Sequence, residues 1–161
     1  AVPSRSDVED YALLSQKLDD QVSALNDKWR DGAWEPVFLL KAHCKPDRMM
    51  ALHRLANFFV VTSLHDGMNL VAKEFVAAQD PDDPGVLVLS RFAGAAEQLQ
   101  DALLVNPYDT RHTAEAIQRA LQMPLAERQQ RHQALLQNIH TQDVHWWCRR
   151  FLDTLATTPL A

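Results

Sequence analysis

An α/β chain, with a parallel sheet and flanking helices, is the fold class that three observations predict. Four short apolar runs, 37–40, 58–61, 86–89 and 102–105, are bounded by turn formers and read as strands. Stretches of helical periodicity separate the later runs from one another, as crossover helices between parallel strands would. The run FFVV has no polar alternation, which fits a strand buried on both faces of a parallel sheet.

The elements follow in order. PSRSDVEDY reads as a loop entering a helix, with Ser6 as N-cap and Asp7 and Glu9 in the first turn, where the helix dipole favours negative charge. Tyr11, Leu14, Leu18, Val22 and Leu25 recur at helical spacing, so this amphipathic helix reaches about Trp29. Asp31 and Gly32 form a turn before the 37–40 strand. AHCKPDRMMALHRLA then passes from loop to helix, with Pro46 in the first turn and Met50, Leu52 and Leu55 partly buried.

After FFVV, the polar residues of TSLHDG break the strand, and from Met68 the pattern is helical, with Val71, Phe75 and Ala78 on one face. A turn at 80–85 precedes the 86–89 strand. The small residues of SRFAGAAEQL permit a close turn into a short helix. The 102–105 strand ends at NPYD, and Asp109 or Thr110 opens a helix through Leu121. A further helix has Pro124 near its start and turns Leu135 and Ile139 inward. The last helix holds Val144, Trp146, Trp147, Phe151 and Leu155; adjacent tryptophans cannot share one helix face.

Chemistry concentrates in FFVVTSLHDGMNLVAKE, residues 58–74. In open α/β sheets ligands bind beyond the carboxyl ends of the strands, and the free amides of a helix N-terminus favour phosphate. Asp66 can accept hydrogen bonds from hydroxyls there, and Gly67 permits a close backbone approach. Leu70 and Glu74, one turn apart, share a side of the helix, and a carboxylate one turn in from an amide-lined phosphate site suits a ribose diol. The same pattern also serves as a purely structural strand-to-helix junction, and spacing alone does not choose between them.

Composition narrows the classes. A chain of 161 residues that is 47% hydrophobic and 23% charged suits one soluble globular domain with a sizeable core. A net charge of -5 gives no general reason to expect nucleic acid as a partner, so any phosphate site must be local. No apolar run approaches the length of a membrane span, and the start lacks the apolar stretch of a secretory signal. Cys44 and Cys148 form no metal-type or redox pair, and free thiols in a reducing cytoplasm are expected. His132, His140 and His145 are expected on the surface; with no HExxH no metal site is indicated, and with no Walker loop, GxSxG or CxxC the nucleophilic-hydrolase and nucleotide-hydrolase readings lack support.

DGMNLVAKEFVAAQDPDDPGVLVLSRFAGAA, then ALLVNPYD and RALQMPLAERQQRH, closely resembles the C-terminal part of the trehalose-6-phosphate synthases, with DGMNLVAKE as the most specific signature. These are retaining glucosyltransferases with two Rossmann-like domains (the GT-B type), which move glucose from UDP-glucose to glucose 6-phosphate. The resemblance implies that residues 1–161 are a partial C-terminal nucleotide-sugar-binding domain, with 143–156 a terminal helix crossing to a missing N-terminal domain. It implies that Asp66 binds glucose hydroxyls, that Gly67, Met68, Asn69, Leu70 and Val71 meet sugar and diphosphate, and that Glu74 holds the ribose diol. A lone arginine is more often a solvated charge, but Arg5, in the family's PSR position, would by resemblance contact the acceptor phosphate, which guanidinium geometry suits. Cys44 stands where family members carry an aromatic residue near the uracil, a departure that weakens any base pocket because a thiol offers little stacking surface. His65 replaces the family's arginine before DGMN, and Gln98 a common Glu. No metal and no cofactor beyond the substrates is implied.

The family's diphosphate-binding Arg and Lys, catalytic histidine and acceptor domain lie upstream of Ala1, so the chain is expected to be a fragment that does not turn over alone. In the strand order 3-2-1-4-5-6, two absent strands would separate the 37–40 and 58–61 strands. The exposed edges are therefore expected to pair with the missing half or with another copy. A sibling synthase with another acceptor, such as glucosylglycerol-phosphate synthase, and a non-catalytic binding module are the alternatives.

Overall fold

Parallel strands with apolar residues on both faces need a helical layer on each side, and the computed structural model, which describes residues 9–158, supplies them. Residues up to Pro46 and residues from Asp47 form two compact units.

In the second unit, α2 (Pro46–Leu55) precedes β1 (Phe58–Val61), α3 (Leu70–Ala78), β2 (Val86–Ser90), a 3-10 turn at Gly94–Glu97, β3 (Leu103–Val105), α4 (Thr110–Gln122), α5 (Leu125–Thr141) and α6 (Val144–Thr157). The strands form one sheet in the order β1-β2-β3. All pairs are parallel, with Phe58 opposite Val86 and Val88 opposite Leu103. Side chains alternate across a strand. Val86, Val88, Leu103 and Val105 therefore meet Ala116, Ala120 and Met123 in the core on the α4 side, while Leu87 and Leu89 join Phe75, Val76 and Leu135 in the core containing α3 and α5. β2 is central and wholly buried; among the described residues β1 pairs with β2 alone, and it is only partly covered, where burial on both faces was expected.

Polar side chains tie the helical layer to the sheet. Gln79 is buried, donating to the His53 carbonyl at the end of α2 and accepting from the Gly85 amide before β2. His132 lies within α5 against the Val76 carbonyl at 3.0 Å and is buried, not on the surface as its sequence neighbours implied. Arg128 donates to the Pro84 carbonyl at 2.6 Å and pairs with Asp83. On α2, Met50, Leu52 and Leu55 are exposed, and the residue turned inward is His53, packed edge-on against Phe59 and Phe75. The apolar count favoured the wrong face of that short helix.

The first unit holds α1 (Glu9–Trp29). The expected strand at 37–40 is absent. Its backbone is used otherwise: buried Asn26 donates to the Val37 carbonyl at 2.9 Å and accepts from the Val37 amide at 3.0 Å, closing both bonds that a neighbouring strand would have made. Phe38 is 86% exposed. Lys41 pairs with Asp19 at 2.6 Å and Arg30 with Glu35 at 2.8 Å. Ser6, Asp7 and Arg5 lie outside the described residues. No described helix is long and apolar enough to cross a membrane.

Candidate functional site

Because the strands are parallel, the segments after β1, β2 and β3 all leave from the same end of the sheet, and the turn of 62–69 leaves there for α3. Asn69 is the N-cap of α3. It sits at φ 73°, in the left-handed region that asparagine tolerates better than most residues, and its side-chain oxygen accepts from the Ala72 amide at 3.0 Å. The amides of Leu70 and Val71 are the first of the helix and have no intrahelical acceptor.

Asp66 closes the turn on itself. One carboxylate oxygen accepts from the Met68 amide at 3.2 Å and the other from the Asn69 side chain at 3.0 Å. The Asn69 side-chain hydrogen bond, then that of the Met68 amide, holds the Asp66 carboxyl below its usual range against an opposing cost of burial, and the Asn69 amide and nearby His65 add lesser pulls in the same direction. Asp66 is therefore a charged acceptor at neutral pH, half-buried at the mouth of the turn.

The segment after β2 lies directly against this turn. The Asp66 amide donates to the Phe92 carbonyl at 3.2 Å, the Gly94 amide to the Asp66 carbonyl at 2.9 Å, and the Ala95 amide to the Met68 carbonyl at 2.6 Å. Ser90, fully buried, donates from its hydroxyl to the Ser63 carbonyl at 2.7 Å. Lys73 crosses from α3 to the side-chain oxygen of Gln98, and burial lowers its amine below the usual lysine value. In a trans peptide the N–H points opposite to the preceding C=O. The Asp66 carbonyl faces Gly94, so the Gly67 amide faces the other way; among the described residues it has no acceptor, and none of them fills the space at its Cα.

The structure thus brings Asp66, Gly67, Met68, Asn69, Leu70, Val71 and Glu74 together in one turn and the helix it opens, with Gly67, Met68, Leu70, Val71 and Glu74 exposed. Such a group offers amides to an anion and carboxylates to hydroxyls. Arg5 lies outside the described residues, and Cys44, a half-buried free thiol, belongs to the other unit. Among the described residues no three or more His, Cys, Asp or Glu side chains are placed to hold a metal ion. A separate groove beside β3 is lined by His112, Glu115, Arg119 and Arg131, but both arginines are already paired with Glu127. Sequence reasoning missed the cap made by Asn69, although an Asn just before a helical run is a recognisable start signal. It also missed the contact of Gly94 and the Lys73–Gln98 link, which join segments far apart in sequence and leave no local signal.

Comparison with known proteins places this turn in a wider group. The family model for glycosyltransferase family 20 matches residues 1–157. The trehalose-6-phosphate synthase of Klebsiella pneumoniae subsp. pneumoniae is 48% identical over 155 residues, which is 96% of this chain and 33% of that protein. That of Sinorhizobium fredii is also 48% identical, over 96% of this chain and 33% of that protein. Among solved structures, an alpha,alpha-trehalose-phosphate synthase (UDP-forming) from Burkholderia xenovorans in complex with glucose-6-phosphate superposes with a TM-score of 0.92 at 44% identity, covering 97% of this chain and 34% of the other. An E. coli structure bound with UDP-2-fluoro glucose gives 0.90 at 45% identity, covering 97% and 35%. The chain spans about a third of the length of the curated relatives it matches.

Proposed function

The chain belongs to glycosyltransferase family 20, and from that premise we propose that it is the donor-binding part of a trehalose-6-phosphate synthase, one that takes glucose from UDP-glucose and delivers it to glucose 6-phosphate. The observation that carries the reading is the turn of 62–69 with its helix. Its outward amides at Gly67, Leu70 and Val71 suit a diphosphate, its ionised Asp66 suits sugar hydroxyls, and Glu74, one helical turn from Leu70 on an exposed face, suits a ribose diol. The Burkholderia and E. coli structures, solved with glucose-6-phosphate and with UDP-2-fluoro glucose, support both substrate classes.

Catalysis in this reading is electrostatic. Charge developing on the departing diphosphate is met by fixed amides, and no metal is required. Asp66 positions the sugar and Glu74 the nucleoside. Arg5 belongs to the proposal as the acceptor-phosphate contact, on its sequence position alone, and Cys44 as a weak neighbour of the base. A cytoplasmic location also belongs to it, supported by two cysteines that stay unpaired in the fold.

Calorimetric titration of UDP and UDP-glucose into the 161-residue chain tests the reading, with Glu74→Ala as the control. Binding of both ligands, weakened about tenfold by the loss of a charged hydrogen-bond acceptor, is expected. Absence of binding, or equal binding by the variant, would overturn the assignment of this turn as a preformed donor site.

A further inference from the structure

Gly94 lies outside the turn yet is in closer contact with it than any side chain could be. A Cβ built on Gly94 would fall 2.1 Å from the Gly67 carbonyl oxygen, 2.9 Å from the Gly67 carbonyl carbon and 3.3 Å from the Met68 Cα. Those neighbours are backbone, so they cannot give way as a flexible side chain would. On either side of that contact the Gly94 amide holds the Asp66 carbonyl and the Ala95 amide holds the Met68 carbonyl. Three successive carbonyls, those of Asp66, Gly67 and Met68, are thereby turned onto the Gly94–Ala95 backbone.

We infer that Gly94 is a positioning residue for the donor turn: by admitting the Gly67 carbonyl against its own Cα and holding the Asp66 carbonyl, it fixes the peptide orientations that present the Gly67 amide and the Asp66 carboxylate outward. The inference rests on the proposed reading of the turn as a donor site for the meaning of "outward", but the orientation itself does not. The contrast with Gly67 sharpens it. Among the described residues, nothing lies within 4 Å of the Cβ position of Gly67. Of the two touching glycines, therefore, the remote one is the one that only glycine can occupy.

The first test needs no variant. In amide hydrogen exchange on the 161-residue chain, the Gly94 and Ala95 protons should be protected on the order of 100-fold, like those of a packed strand, although they lie outside any strand, while Gly67 exchanges freely. Fast exchange at Gly94 and Ala95 would overturn the inference. The second test is the NMR titration of the Asp66 carboxyl in Gly94→Ala and Gly67→Ala. Its midpoint should rise towards the ordinary carboxylate value of about 3.9 in Gly94→Ala, because its bonds to Met68 and Asn69 depend on the turn, and stay unchanged in Gly67→Ala. An unchanged midpoint in a folded Gly94→Ala would contradict the positioning role, since a merely structural glycine would lower stability without moving Asp66. UDP titration in parallel separates the two ideas: failure of the parent chain to bind UDP counts against the donor reading, whereas the exchange and Asp66 results judge Gly94 regardless.

Discussion

Asn69 carries two duties in one side chain. Its oxygen caps α3 at Ala72 and its nitrogen holds Asp66. Asn69→Ala should cost about 2 kcal/mol of folding stability, roughly 1 for the cap and 1 or more for placing alanine in the left-handed region. Urea denaturation of the two proteins would measure it, and Asn69→Gly should lose distinctly less. His53 makes a different prediction. It is 2% exposed, neither ring nitrogen has a partner among the described residues, and burial lowers its pKa against a smaller opposing pull from Glu74. A depressed folded pKa means that the neutral ring is favoured in the native state. The stability it contributes is complete above the unfolded value of about 6.5 and is lost as pH falls through the folded pKa. Urea midpoints measured from pH 7.5 down to 5 should therefore fall, and fall less in His53→Leu.

Sequence legibility at this scale followed locality. The placement of Asp66, Gly67 and Glu74 in one turn and its helix could be read because strand, turn and helix adjoin in sequence. Gln98, Lys73 and Gly94 could not, because their contacts arise only when β2 is laid beside β1.

At the level of elements, strands were legible where helices flank them on both faces. FFVV, VLVL and LLV fell in register as parallel neighbours, and the caps at Asp109 and Asp143 formed as short polar side chains ahead of a helix dictate. The 37–40 segment shows the limit of that logic. Val, Phe, Leu and Leu have strand propensity, but a strand exists only with a partner, and here Asn26 takes the backbone of Val37 instead. The α3 contact with the 3-10 turn also depends on charge. Lys73 is partly buried against a neutral amide, so Gln98→Glu should supply a counter-charge and raise the lysine pKa towards its ordinary value, with a stability gain of about 1 kcal/mol or less at this half-exposed site. NMR titration of the Lys73 amine reads the shift directly, and an unchanged amine would show that the two side chains do not meet in solution.

On the molecular scale, apolar surface dominates the outside of several elements. Val144, Trp147, Phe151 and Leu155 recur along α6 at spacings of three and four, Trp147 stacks on Phe151, and α6 has no buried residue. Among the described residues, β1 has one strand partner, β2. Contiguous apolar surface of this kind drives association. Light scattering at tens of micromolar should report a mass above that of one chain, reduced in Trp147→Ser/Phe151→Ser; a stable monomer would count against it.

On the proposed function, the turn between β1 and α3 is a donor site already formed in this chain. Amide NMR during titration with UDP-glucose tests it residue by residue. Shifts should concentrate at Gly67, Met68, Asn69, Leu70, Val71 and Glu74, with smaller responses at Gly94 and Ala95 behind them. Shifts that instead gather in the groove of His112, Glu115, Arg119 and Arg131, or no shifts at saturating ligand, would contradict it.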